Sequence, residues 1–271
     1  MYRLAMIVTL GIGLAAGPSW GTQAHSAGPS QPTAPEPNAL DTVLKNLQDK
    51  TAELKSYQVN MDYVFKQPLL ESQQRRTGVL SYAKSDKKSD LRIDFRTLQQ
   101  DEEKEQTYLQ QYLFDGVWLW EIDSQLKTAT HRQLAEPNKP LDALSLASKQ
   151  VPVLGFSKVQ DLRKQFEIEL VAEPPAPSAP RQHLHLKVKP DSVYKDDYVT
   201  IDLWIDGKIG LPVEVKAVTP ENDVYEIKLT DPKVNAELDP KLFQVDIPRT
   251  FSVEVIPLAK RAEGTGSPTP R

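Results

Sequence analysis

The chain is predicted to be mainly β (α+β), with one large antiparallel sheet that curls toward a barrel. Apolar and polar residues alternate in segment after segment between Tyr57 and Leu229, the pattern of half-buried strands. Short turn signals separate these segments, among them Asp115-Gly116, Asp206-Gly207 and Glu221-Asn222-Asp223. Helical spacing occurs only before the first strand and in the middle of the chain.

Apolar residues recur at Leu40, Val43, Leu44, Leu47 and Leu54, which predicts an amphipathic helix over 40–55. Asp41 stands near its start, where a carboxylate complements the helix dipole. The period then drops to two. Tyr57, Val59, Met61, Tyr63 and Phe65 alternate with Gln58, Asn60, Asp62 and Val64, predicting a strand with one apolar face. Further strands are predicted over 77–82, 91–96, 107–114, 118–122 and 127–132. Residues 140–147 and 153–166 read as two short helices around Val151-Pro152, the second with Leu154, Val159, Leu162 and Phe166 on one face. Strands resume over 166–172, 183–189, 198–205, 213–218 and 225–229. Between the first two of these, the proline-rich run from Glu173 to Pro180 is a stiff surface loop, because strand pattern continues on both sides. The helices must cover the apolar face of so large a sheet or plug its mouth.

The ends of the chain differ from this body. Arg3 precedes the uncharged run Leu4–Ala16, and small residues follow. That run is too short to span a bilayer and suits a secretory signal over 1–28, though a short N-terminal anchor would read similarly. Either reading places the folded part outside the cytoplasm. Residues 29–39 form a Pro-rich linker, 40–258 the folded domain, and 259–271 a disordered tail.

Composition excludes several function classes. Cys is absent, so disulfides, thiolate metal sites, cysteine nucleophiles and cysteine lipid anchors are excluded. The formal net charge is −4, against the basic balance of a general nucleic-acid binder. His183-x-His185 puts two imidazoles on one strand face, but no third ligand stands at a readable spacing, so no metal site is predicted. No Gly-x-Ser-x-Gly elbow, phosphate-cradling glycine loop or His-Glu-x-x-His motif occurs. Neither an enzyme nor a cofactor is expected. Lys84, Lys87, Lys88 and the pair Arg75-Arg76 are either a solvated surface or contacts for acidic headgroups or a transporter. Trp204 points away from Ile201, Leu203 and Ile205, which makes it a docking patch or a side chain packed under a loop.

Several local patterns, in order, resemble the LolA-type periplasmic lipoprotein carriers and related outer-membrane lipoprotein-sorting proteins. Leu54-Lys55-Ser56-Tyr57 leads the helix into the first strand, Gly78-Val79-Leu80-Ser81-Tyr82 resembles the second strand, and Leu91-Arg92-Ile93-Asp94-Phe95 the third. Asp115-Gly116-Val117-Trp118-Leu119-Trp120 resembles the family's Asp-Gly turn with aromatics after it. Leu211-Pro212, Asp231, Asn235, Leu238-Asp239-Pro240-Lys241-Leu242-Phe243 and Ile247-Pro248 resemble its closing segment. The resemblance spans about residues 40–256. The chain departs from it in the acidic, Gln-rich stretch 99–106 and in the Pro-rich loop.

The resemblance implies an unclosed β-barrel with an N-terminal helix and short lid helices over its concave face. It also implies a periplasmic carrier that binds acyl chains of lipoproteins or lipids and moves them toward the outer membrane. Val59, Met61, Tyr63, Phe65, Ile93, Phe95, Phe114, Trp118 and Trp120 are the expected cavity wall. Arg92, Leu144 and Leu154 are the expected lid contacts. An inner-membrane transporter and an outer-membrane acceptor are the implied partners, and a monomer is expected. Two other readings stand beside this one: a lipid-sensing or binding module on the same scaffold, and a structural envelope protein whose barrel is filled by side chains.

Overall fold

The computed structural model describes residues 39–85, 88–144, 159–173 and 180–258. The predicted signal and tail, residues 145–147 of the first predicted mid-chain helix and residues 153–158 of the second lie outside the described residues. Helix α1 (Ala39–Ala52) buries Val43, Leu44 and Leu47, the stripe its spacing predicts. Helix α2 (Val159–Gln165) buries Leu162. The two are tied together by an ion pair of Arg163 with Asp41 and by the Val159 N–H, which donates to Gln48 Oε1 at 3.0 Å.

Among the described residues twelve strands form one sheet. They are β1 (Ser56–Gln67), β2 (Ser72–Lys84), β3 (Ser89–Gln100), β4 (Gln106–Phe114), β5 (Trp118–Asp123) and β6 (Thr128–Gln133), then β7 (Phe166–Val171), β8 (Arg181–Val188), β9 (Thr200–Asp206), β10 (Pro212–Val218), β11 (Val224–Val234) and β12 (Ser252–Ile256). The spatial order is β12-β6-β5-β4-β3-β2-β1-β11-β10-β9-β8-β7. The end strands β12 and β7 do not pair with each other, so the sheet is unclosed. All pairings are antiparallel except that of β12 with β6, so the sheet is mixed where the alternation alone predicts an antiparallel one.

The turns form for local reasons. Asp115 Oδ1 accepts the N–H groups of Val117 and Trp118 at 2.9 and 2.7 Å, and Gly116 takes a φ of +95° that a side chain would oppose. Gly78 serves close approach instead. A Cβ there would lie 2.1 Å from the Asp94 carbonyl oxygen, at the bulge between β2 and β3.

One face of the sheet, the helix-covered face, carries the main core. It includes Val59, Met61, Leu80, Leu184, Leu186, Ile201, Leu203, Ile205 and Val215, packed with Leu44, Leu47 and Leu162 of the helices. On the reverse face, the segment after β11 is strapped over the outer strands. Val245, Ile247 and Phe251, with Trp120, pack there against Leu113, Ile122 and Ala129. The strap begins with a short 3-10 turn, Pro240–Phe243, whose Lys241 N–H donates to Asp239 Oδ1 at 2.9 Å, and ends as β12.

Candidate functional site

Strand register decides which predicted wall residues share a face. Tyr57, Val59, Met61, Tyr63 and Phe65 of β1 stand opposite Tyr82, Leu80, Gly78, Arg76 and Gln74 of β2. Tyr82, Leu80 and Gly78 stand opposite Leu91, Ile93 and Phe95 of β3, and Leu91 and Ile93 opposite Phe114 and Tyr112 of β4. Seven of the nine predicted residues therefore lie on the helix-covered face. Val59, Met61 and Phe114 are buried in the core, while Tyr63, Phe65, Ile93 and Phe95 are half-buried.

Trp118 and Trp120 are not with them. Phe114 pairs with Leu119, so the helix-covered face of β5 carries Leu119 and Glu121, and both tryptophans turn to the reverse face. There they enclose His131, whose ring stacks 4.3 Å from Trp118 and 3.9 Å from Trp120. Burial between the rings lowers the His131 pKa. Their expected place in the cavity wall is thus corrected by one residue of strand phase.

The lid contacts divide similarly. Leu144 is buried in the main core, and Ala143 beside it donates its N–H to Ser89 Oγ at 2.7 Å, which fixes this segment to the start of β3. Leu154 lies outside the described residues. Arg92 alternates with Leu91 and Ile93 and so faces the reverse side. Its Nη1 donates to the Leu242 carbonyl at 2.8 Å and its Nε to Asp94 Oδ2 at 2.6 Å. Arg92 does hold a crossing backbone segment, but that segment is the C-terminal strap and not a helical lid.

The half-buried residues form a connected aromatic sector. Tyr63 stands edge-on to Phe95 at 6.0 Å between ring centres, and Phe95 edge-on to Tyr112 at 6.3 Å. Phe65 stacks on Tyr225 at 4.7 Å, and Tyr225 meets Tyr198 at 6.3 Å. Burial pushes the Tyr63 pKa up to about 12 and raises those of Tyr112, Tyr198 and Tyr225. Arg76 also belongs to this sector, with its guanidinium carbon 5.6 Å from the ring centres of both Phe95 and Tyr108. The sequence carries a signal for it: Arg76 is in phase with Leu80 and Tyr82, whereas Arg75 is not.

The remaining candidates resolve into local structure. His183 Nε2 and His185 Nδ1 both meet Asp202 Oδ1, at 2.9 and 2.8 Å, on the reverse face. Trp204 stacks on His183 at 4.4 Å and donates its Nε1–H to Glu173 Oε1 at 2.7 Å, which is the packed reading of that residue. Among the described residues no group of three or more His, Asp or Glu side chains is arranged to hold a metal ion. A cleft of about 300 Å³ lies at the hairpin tips, lined by Lys66, Pro68, Glu71, Ser72, Gln73, Asp101 and Glu102. Its lining residues are mostly polar, and none of them belongs to the aromatic sector.

No family model and no curated protein matches the chain. Solved structures similar to it include an uncharacterized conserved protein from Thermus thermophilus, with a TM-score of 0.49 at 9% identity over 80% of this chain and 99% of that one. The MucA/MucB complex of Pseudomonas aeruginosa gives 0.44 at 14% identity over 76% of this chain and 60% of that one. A LolA superfamily protein from Nitrosomonas europaea gives 0.33 at 13% identity over 76% and 97%. At these values the likeness is one of fold alone.

Proposed function

We propose that this chain is a non-enzymatic acyl-chain carrier of the periplasm, taking up chains of lipoproteins or lipids and passing them toward the outer membrane. The observation that carries the reading is the aromatic sector. It continues the buried core along the same sheet face, yet its rings stay half-buried. Rings in that condition still offer apolar area to a ligand. Each acyl CH₂ withdrawn from water contributes about 0.8 kcal/mol, so one long chain gives useful affinity with no polar chemistry.

Binding of this kind is reversible. It is driven by area, and release follows when an acceptor offers more. An inner-membrane donor and an outer-membrane acceptor complete such a route. The test is direct: purify the protein without detergent, extract it with organic solvent and analyse the extract by mass spectrometry. Co-purified acyl compounds, displaced by a fluorescent fatty-acid probe, are the expected result. A ligand-free protein that leaves such a probe unbound would overturn the proposal.

A further inference from the structure

Arg75 and Arg76 are adjacent on β2 and therefore point to opposite faces. On the reverse face Arg75 is matched by a carboxylate. Its Nε and Nη2 donate to the two oxygens of Asp62 at 2.9 and 2.7 Å. Among the described residues Arg76, turned into the aromatic sector, meets only neutral groups. Its Nε donates to Gln74 Oε1 at 3.1 Å, and its Nη1 donates to Gln110 Oε1.

Among the described residues Arg76 makes no ion pair, and its Nη2 makes no hydrogen bond. The carboxylates nearest in the sheet register are engaged elsewhere. Asp123 accepts the Tyr108 hydroxyl at 2.6 Å and the N–H groups of Gln125 and Leu126 at 3.0 and 2.9 Å, while Glu121 faces Arg132 at 3.9 Å. A half-buried guanidinium oriented by two amides, flanked by rings and lacking a counter-ion among the described residues, is built to receive an anion.

We propose that Arg76 binds the anionic end of an acyl ligand, a carboxylate or a phosphate, with the chain lying along Tyr63, Phe95 and Tyr112. This rests on the reading that acyl chains occupy the aromatic sector, and it narrows that reading. An ester- or amide-linked chain has no anion at its end, so the favoured ligand is an anionic lipid.

The test compares displacement of a fluorescent acyl probe by palmitate, by monopalmitoyl phosphate and by neutral methyl palmitate, using the full chain. The unchanged protein should prefer an anionic ligand over the ester by about tenfold or more, as expected for hydrogen bonds to a charged group. The larger of the two anion preferences tells carboxylate from phosphate. Arg76→Gln should bring anion binding down to the level of the ester, Arg76→Lys should keep part of the preference, and Arg75→Gln should leave it intact. Equal binding of ester and anions, or a preference that survives in a folded Arg76→Gln protein, would overturn the role of Arg76 and leave acyl binding standing. Failure of all three ligands to bind would overturn both. Circular dichroism of each variant establishes that it is folded.

Discussion

On β8 and β9 the helix-covered face is aliphatic and closed. Leu184, Leu186, Ile201, Leu203 and Ile205 are each at most 1% exposed. On β1–β4 the same face changes character beyond Met61, to Tyr63, Phe65, Phe95 and Tyr112, all half-buried. Both helices explain the contrast: α1 and α2 pack on each other and both touch β7. Under them branched aliphatic side chains interlock at interior density. Away from them the sheet carries aromatic rings that stay half-buried. One continuous sheet face thus carries a closed aliphatic core in one region and half-buried rings in the other.

Substitutions should separate the two regions. The largest effect is expected for Leu203→Ala, which opens a void in the closed region and should cost about 3–4 kcal/mol of stability, measured by urea unfolding with an unchanged slope. Phe95→Ala should cost less, about 1–2 kcal/mol, since its ring is only half-withdrawn from water, but should weaken acyl-probe binding roughly tenfold. A Phe95→Ala loss of stability as large as that of Leu203→Ala would erase the distinction.

The smallest effect is expected at alkaline pH. Burial raises the Tyr63 and Tyr57 pKa values to about 12, from an ordinary value of 10.0. The folded state therefore holds protons that the unfolded state releases, and stability falls as pH rises between about 10 and 12. The contribution is whole below pH 10 and is lost on passing through the folded value. Thermal melts at pH 9 and pH 11 should show a fall in Tm, and Tyr63→Phe should reduce that fall. An equal fall in the variant would show that Tyr63 does not contribute.

Much of this organisation is legible in the sequence because it is local. The stripe Val43, Leu44, Leu47 gives α1, and the alternation from Tyr57 to Phe65 gives β1 with its buried face. Face assignments across strands are less legible, because they depend on pairing. The phase of Trp118 and Trp120 is set by the Phe114–Leu119 pairing across the Asp115-Gly116 turn, and no alternation within β5 reports it. Arg92 shows the same dependence: alternation excludes it from the apolar set, but only the crossing strap supplies its partner, Leu242. Strand β12 escapes altogether, since Ser252–Ile256 is short and its valines face outward, 48% and 57% exposed at Val253 and Val255. Its identity as a strand comes from lying beside β6, a relation between residues more than a hundred positions apart.

That parallel pairing has a consequence for how the protein is made. Strands β1 to β6 and their hairpins can pair in chain order, yet the outer side of β6 stays bare until residues 252–256 join it. Throughout that interval the nascent domain presents an open row of peptide groups, the template on which foreign strands aggregate. The last strand to emerge is the one that shields it.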